Sequence, residues 1–102
     1  MTSYLNRAIS FIEQHLDKGV TAGDIAQAAG APASQVHAAF LLLAGMTPLE
    51  YARKRRLSVA ASRLMEGASV TDVAFSSGYE SVEGFSRAFR AWSGMVQLIC
   101  AG

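Results

Sequence analysis

The sequence predicts an all-α fold in which two similar helical subdomains are joined by one long helix. Hydrophobic residues make up 51% of the 102 residues, and Ala and Leu, which favour helices over strands, are common among them. The apolar residues recur at helical spacing. A pattern of helix caps and glycines also occurs twice in the chain. Together these observations define the fold class before any single helix is assigned.

The first predicted helix covers residues 4–18 and ends at Gly19. A short second helix over residues 22–29 begins behind a capping box of Thr21 and Asp24 and ends at the next glycine. The apolar residues of the first helix share one face, as expected for a helix packed on a core: Leu5, Ile9, Ile12 and Leu16.

The third predicted helix covers residues 33–43 and ends at Gly45. Its spacing places Val36, Phe40 and Leu43 toward the core. It contains no Arg or Lys.

The linker helix is the longest predicted helix and runs from residue 48 to about residue 66. Thr47 caps its start, Pro48 suits the first helical position, and Glu50 completes a capping box. Its first half carries the basic run of residues 53–56.

Two further helices follow the linker. The fifth covers residues 70–77 behind a second box of Ser69 and Asp72. The sixth covers residues 81–94 and is predicted to end at a glycine. One face of the sixth helix is apolar at the spacing i, i+4, i+7, through Phe85, Phe89 and Trp92.

The two halves of the chain repeat one pattern of short helix, glycine turn and second helix, which is the helix-turn-helix pattern. We therefore predict a tandem of homeodomain-like units: residues 1–45 form the first subdomain, residues 46–66 the linker and residues 67–102 the second subdomain. At an offset of 48, Thr21, Asp24, Ile25, Ala26 and Gly30 match Ser69, Asp72, Val73, Ala74 and Gly78. At an offset of 49, Val36, Phe40, Gly45 and Met46 match Phe85, Phe89, Gly94 and Met95.

This tandem arrangement predicts a DNA-binding function. In a helix-turn-helix unit the second helix enters the major groove, and successive major grooves on one face of DNA lie about 34 Å apart. A linker helix of about 19 residues spans about 28 Å. We expect the linker to hold two recognition helices at about the distance between successive major grooves. The bound DNA site needs no palindrome, because the two recognition helices differ in sequence.

Composition limits the other classes of function. The formal net charge of +1 is low for a nucleic-acid binder, although residues 47–95 hold seven bases and five acids. Cys100 is the single cysteine, so we expect no metal or other cofactor. The sequence contains no nucleophile–base pair, no paired carboxylates and no phosphate loop, so we expect that the protein is not an enzyme. No apolar run approaches the roughly 20 residues of a membrane span, and we expect a cytoplasmic protein.

Four segments together resemble the DNA-binding region of the AraC/XylS transcription regulators: GVTAGDIAQAAG, GMTPLEYARKRRLSVAASRLME, ASVTDVAFSSGYES and FSRAFRAWSGM. The resemblance implies seven helices with two helix-turn-helix units, binding to asymmetric promoter sites, and activation through contact with RNA polymerase. It also implies that a ligand-sensing or dimerisation domain outside this chain acts as a partner in most members.

By position, the resemblance assigns base reading to Ser34, His37 and Ala38 in the third helix. His37 is equally well explained as an exposed helix residue. Arg55 or Arg56 is as well suited to pair with an acid such as Glu80 as to contact DNA. In the sixth helix base reading falls on Val82, Glu83, Gly84, Ser86 and Arg87. The candidate DNA-binding residues are Ser34, Gln35, His37, Arg53, Val82, Glu83, Ser86, Arg87 and Arg90.

The sequence departs from the family pattern in two places. The third helix carries Ala38, Leu41 and Leu42 where basic or polar residues are usual, and MVQLICAG replaces the last short helix. Because phosphate contacts set non-specific affinity, the sixth helix is expected to carry most of the DNA contact. The alternative function is a protein–protein interaction or dimerisation module with weakened DNA binding, formed by exposed Leu41 and Leu42.

Overall fold

The computed structural model describes the backbone of residues 2–101 and the side chains of residues 4–94. Within the described residues there are six helices and no strand, which confirms the all-α class. The chain forms two compact units, residues 1–55 and 56–102. In chain order the helices are α1 (Thr2–Gln14), α2 (Ala22–Ala29), α3 (Ala33–Ala44), α4 (Pro48–Met65), α5 (Val70–Ser76) and α6 (Val82–Ala101).

The first unit has its own hydrophobic core, formed where α1 packs against α2 and α3. The first half of α4 contributes Ala52 to this core. Each fully buried large side chain contributes about 1.5–3 kcal/mol relative to an exposed one. The buried members of the core are Ala8, Ile12, Ile25, Ala29, Val36, Phe40 and Ala52.

The boundaries of α2 confirm the predicted start and stop signals. The Asp24 backbone N–H donates to the Thr21 hydroxyl, and the Thr21 N–H donates to the Asp24 carboxylate, both at 3.1 Å. Gly30 ends the helix with φ of 74°, a left-handed conformation that glycine adopts at no steric cost. The Arg7 guanidinium donates two hydrogen bonds, of 3.0 and 2.7 Å, to the Ala29 carbonyl. A positive charge is therefore held at the negative end of the α2 dipole.

The start of α4 also confirms its predicted capping box. The Thr47 backbone N–H donates to the Glu50 carboxylate at 2.9 Å, and the Glu50 N–H donates to the Thr47 hydroxyl at 3.1 Å. These bonds hold the pKa of Glu50 below its usual value. Pro48 occupies the first helical position, where its missing N–H costs nothing.

A polar cluster joins α1 to α4 within the first unit. Arg55 donates to both oxygens of the Glu13 carboxylate, at 2.7 and 3.0 Å, and the Tyr51 hydroxyl donates to Glu13 at 2.9 Å. The bond from Arg55 is the main cause that lowers the pKa of Glu13. Burial and the neighbouring carboxylate raise the pKa of Tyr51. The acid that pairs with Arg55 is thus Glu13 and not Glu80.

The second unit has a separate core, formed by α5, α6 and the second half of α4. Its buried members are Leu57, Ala60, Val73, Ala74 and Phe85. Four aromatic rings follow one another along its edge with centroids 5.5–5.6 Å apart, in the order Tyr79, Phe85, Phe89 and Trp92. Aromatic pairs at such distances contribute beyond their burial alone.

Serine caps begin α5 and α6, but the predicted capping box of Ser69 and Asp72 is only half formed, because the described structure has no bond from the Ser69 N–H to the Asp72 carboxylate. The Asp72 N–H donates to the Ser69 hydroxyl at 3.1 Å, and the Gly84 N–H donates to the Ser81 hydroxyl at 3.0 Å. The turn between α5 and α6 contains Gly78 with φ of 90°. Only a glycine adopts this conformation readily, so the repeated glycine has a backbone role.

Two predictions for the first unit are wrong. Helix α1 ends at Gln14 and not near residue 18, because the chain tightens into an i→i+3 turn in which the His15 N–H donates to Ile12. Leu43 was predicted to face the core and is 68% exposed. Tyr51 packs against Phe40 with ring centroids 5.8 Å apart, and α4 covers that side of the core instead.

The predicted end of the sixth helix at Gly94 is also wrong, since α6 continues to Ala101. A glycine ends a helix when it adopts the left-handed conformation, and Gly94 does not. No proline follows it to interrupt the hydrogen bonding, since Val96 and Gln97 stand where the family has Thr-Pro. The seventh helix implied by the resemblance is therefore a continuation of α6. The side chains of Met95 and Cys100 lie outside the described residues.

Candidate nucleic-acid interface

In the first unit, the outward face of α3 carries no charge. Because Val36 and Phe40 are buried, the helical period places Ser34, Ala38, Leu41 and Leu42 on the opposite side. These four exposed residues are called the α3 strip below. Gln35 and His37 flank it and are also exposed.

In the second unit, the same helical period places a charged surface on the outward face of α6. Phe85 is buried, and the residues opposite it are Glu83, Arg87, Arg90 and Ala91, all of them exposed. These residues are called the α6 strip below. They stand at an offset of 49 from the four residues of the α3 strip. The two strips are therefore equivalent surfaces with different chemistry.

The structure brings the candidate residues together in two sets, one in each unit. Ser34, Gln35 and His37 lie on the first two turns of α3 and are exposed. Arg53 is exposed on α4 in the same unit, close enough to Glu50 to help lower the pKa of that acid. The candidates on α6 are Glu83, Arg87 and Arg90, which are exposed, and Val82 and Ser86, which are half-buried.

Each strip borders an apolar groove within its own unit. A groove of about 520 Å³ beside α3 is bordered by Ser34 and His37 and closed by the start of α4, including Pro48. A groove of about 380 Å³ beside α6 is bordered by Ser86 and Arg90. His37 and Ser86 occupy equivalent positions in the repeat. Each unit therefore has a groove at an equivalent place beside its second helix.

Four arginines contact residues from other segments of their own unit, whereas Arg90 donates a long hydrogen bond of 3.4 Å to the Ser86 carbonyl one turn earlier in α6. Arg56 lies over the Tyr79 ring, 6.0 Å from its centroid, and Arg63 donates a hydrogen bond to the Ser76 hydroxyl. Arg7 and Arg55 are held by the Ala29 carbonyl and by Glu13. Sequence reasoning missed the contact of Arg7, which no local pattern signals. Arg7 is exposed although it bonds to the Ala29 carbonyl, and the other exposed arginines are Arg53, Arg87 and Arg90.

Gly84 has a local role at the start of α6. A Cβ atom at this position would lie 3.2 Å from the Ser81 hydroxyl oxygen that caps the helix. The glycine therefore leaves room for the cap, and it leaves the α6 surface open beside Glu83 and Arg87. The resemblance implies a base-reading role for Gly84, and this role stays a prediction.

Neither a metal site nor a membrane span is found in the described part of the chain. No three His, Cys, Asp or Glu side chains among the described residues are grouped to hold a metal ion. None of the helices there is both long enough and apolar enough to cross a bilayer.

Comparison with known proteins extends these observations. Residues 25–96 match a family model described as a helix-turn-helix domain. The transcriptional regulator LumQ of Photobacterium leiognathi is 34% identical over 87 residues, which cover 84% of this chain and 35% of LumQ. The chain thus spans about a third of the length of that relative. The helix-turn-helix type transcriptional activator AarP of Providencia stuartii is 30% identical over 95 residues, which cover 92% of this chain and 70% of AarP.

A solved structure shows the same fold. It is the crystal structure of a transcriptional regulator from Chromobacterium violaceum, described as an AraC-type DNA-binding domain-containing protein. The TM-score is 0.83 at 25% identity, over 89% of this chain and 82% of that one.

Proposed function

The chain belongs to the AraC-type helix-turn-helix family of transcription regulators, not to a family of enzymes, and from this membership we propose that it binds promoter DNA sequence-specifically. In this proposal α3 and α6 each insert into a major groove, and the two grooves are successive. The candidate residues on the two helices contact bases and phosphates.

The observation that carries this proposal is the α6 strip. Two guanidinium groups, of Arg87 and Arg90, stand exposed in the first three turns of a helix whose opposite face is buried through Phe85. The first turns of a recognition helix are the part that reaches base edges. Arg pairs with the O6 and N7 atoms of guanine or with phosphate oxygens. We assign Arg87 to a base contact and Arg90 to a phosphate contact.

Two further aspects of the proposal rest on the relatives. AarP is named an activator, so we propose that this chain activates transcription through contact with RNA polymerase. LumQ is about three times as long as the segment that aligns with this chain, so we propose a ligand-sensing or dimerisation domain as a partner. We also propose a cytoplasmic location, since a promoter-binding protein acts where the DNA lies.

The test uses DNA selected from a random library by the 102-residue chain, with affinity measured by fluorescence anisotropy at several salt concentrations. Replacing Arg87→Ala is expected to weaken binding about 5- to 150-fold, the range for loss of a bidentate base contact. Lys18→Ala is the matched control, since it removes one exposed positive charge from the loop after α1. It is expected to leave affinity within about twofold. Failure to select any sequence at low salt would overturn the proposal.

A second candidate function is self-association of the chain through α3, with weakened DNA binding. It is favoured by Leu42, whose side chain is 84% exposed. It is also favoured because α3 carries no charged residue, and like charges on this helix would oppose the pairing of two copies. Sedimentation equilibrium distinguishes this function. Self-association requires a dimer that forms with rising concentration and is lost in Leu42→Lys, whereas a monomer at all concentrations excludes it.

A further inference from the structure

We propose that the two recognition helices select different bases: α3 selects an A·T-rich half-site through thymine methyl groups and adenine, and α6 selects a half-site that contains G·C pairs. This inference rests on the proposed function, because it specifies what each DNA-reading surface recognises. It follows from the side chains at equivalent positions of the two strips.

The α3 strip has the chemistry of an A·T reader. Ala38 is exposed and lies directly opposite the buried Val36 and Phe40, so its methyl group is presented at the centre of the strip. In the major groove, small apolar groups contact the C5-methyl of thymine, and Gln forms paired hydrogen bonds with the N6 and N7 of adenine. Gln35 is exposed beside the strip, and its side-chain amide makes no hydrogen bond to another described residue. Because α3 has no Arg or Lys, the usual contact to guanine is unavailable to it.

The α6 strip has the opposite chemistry at the same positions. Arg87 stands where α3 has Ala38, and Glu83 stands where α3 has Ser34. Arg contacts guanine O6 and N7, and Glu accepts a hydrogen bond from the N4 amino group of cytosine. The two side chains are one helical turn apart, and they form no ion pair with each other in the described structure. Both are therefore available to neighbouring base pairs.

The size of the α3 side chains favours DNA over a protein as the occupant of the strip. Ser34 and Ala38 are small, so the helix backbone can approach the floor of the groove closely. A self-association surface would place large side chains at its centre, whereas Leu41 and Leu42 lie toward the end of the helix, beyond Ala38. Dimerisation through α3 becomes one outcome of the test.

The experiment starts from the site that the 102-residue chain selects. The half-site in which Arg87→Ala relaxes base preference is assigned to α6, and the other half-site to α3. Each thymine of either half-site is then replaced by deoxyuridine, which removes only the C5-methyl. Because burial of one methyl contributes about a fourfold change in affinity, we expect about fourfold weaker binding for each contacted thymine of the α3 half-site. Replacements in the α6 half-site are expected to change affinity less than twofold.

The variant arm transfers Arg to the equivalent position of α3. Ala38→Arg, at an exposed site, is expected to shift the preferred base at one position of the α3 half-site to guanine in a repeated selection. The matched change Ala44→Arg adds the same charge at the end of α3 and is expected to raise affinity without a change of preferred base.

The outcomes separate the inference from the proposed function. An A·T-rich α3 half-site that is sensitive to deoxyuridine supports the inference. Tight, selective binding with no A·T preference there, or no response to deoxyuridine, overturns it and leaves the proposed function standing. A concentration-dependent dimer that loses DNA binding also overturns it. Absence of any selected sequence overturns the proposed function and the inference with it.

Discussion

Along α3 the first unit exposes a hydroxyl group, a methyl group and two leucine side chains, whereas along α6 the second exposes a carboxylate, two guanidinium groups and a methyl group. Behind these strips the two units are alike, since Val36 and Phe85 are both buried at equivalent positions. The contrast teaches that the buried face preserves the helix-turn-helix, while the outward face is free to change. Two similar units can therefore divide DNA recognition unequally.

The units also differ in what supports their helices. The first relies on polar contacts between distant residues, through Arg7 with the Ala29 carbonyl and through Glu13 with Arg55. The second relies on a run of aromatic rings and on Arg56 above the Tyr79 ring. Changes in pH are therefore expected to affect the first unit more than the second.

The largest expected effect is a loss of stability in the core of the second unit alone. Phe85→Ala removes a large side chain that is 2% exposed, and it is expected to destabilise the second unit by about 3–5 kcal/mol through lost burial and a residual cavity. Denaturant unfolding followed by Trp92 fluorescence measures it. Phe75→Ala is the matched control, because Phe75 is 53% exposed and its loss is expected to cost less than about 1 kcal/mol. Equal effects of the two changes would contradict the assignment of the second core.

The next largest effect is expected from a variant that reduces the difference in charge between the α3 and α6 strips. Leu41→Arg places a guanidinium group on α3 at the position equivalent to Arg90. A new phosphate contact is expected to strengthen DNA binding at low salt and to steepen the dependence of log affinity on log salt by about 0.9. Titrations at several salt concentrations measure the slope. The reciprocal Arg90→Leu should flatten it by a similar amount, and an unchanged slope in both variants would contradict the phosphate assignment.

A smaller effect compares the helix caps. Thr21→Ala removes one hydroxyl acceptor and disturbs a reciprocal capping box, whereas Ser69→Ala removes a single hydroxyl acceptor. Each is expected to cost about 1 kcal/mol, with the larger cost at Thr21. Thermal unfolding of both variants measures the difference. A larger loss in Ser69→Ala would show that the single cap of α5 contributes more than the reciprocal capping box of α2.

The smallest effect tests the ion pair of the first unit. Glu13→Gln is expected to cost about 1 kcal/mol or less at neutral pH, because both partners are partly exposed to solvent. The fold lowers the pKa of Glu13, so the pair stabilises the protein above the unfolded pKa of about 4.3. This stabilisation is lost as pH falls through the lower, folded pKa.

Denaturant unfolding from neutral to acidic pH measures this dependence. The difference in free energy of unfolding between the original chain and Glu13→Gln should vanish at the acid end. The control Glu66→Gln changes an exposed acid in the second unit and is expected to have little effect at any pH. A constant difference across the pH range would exclude Glu13 as the titrating group.

Much of the fold follows from local signals. Capping boxes at Thr21 and Thr47 and the left-handed Gly30 mark helix ends within a few residues of sequence, because a cap satisfies groups that lie in its own turn. The repeat then identifies which helix of each unit faces outward. The candidate residues on α3 and α6 are placed by this reasoning, and their contacts with DNA stay predictions.

What the sequence by itself determined about this protein is therefore its helices, its repeat, its family and the difference in charge between α3 and α6. Only the tertiary structure decided that Arg55 binds Glu13, that Leu43 faces solvent and that α6 continues past Gly94. For the ion pair the physical reason is separation along the chain. Glu13 and Arg55 are 42 residues apart, and their contact depends on how α1 and α4 pack rather than on either local sequence.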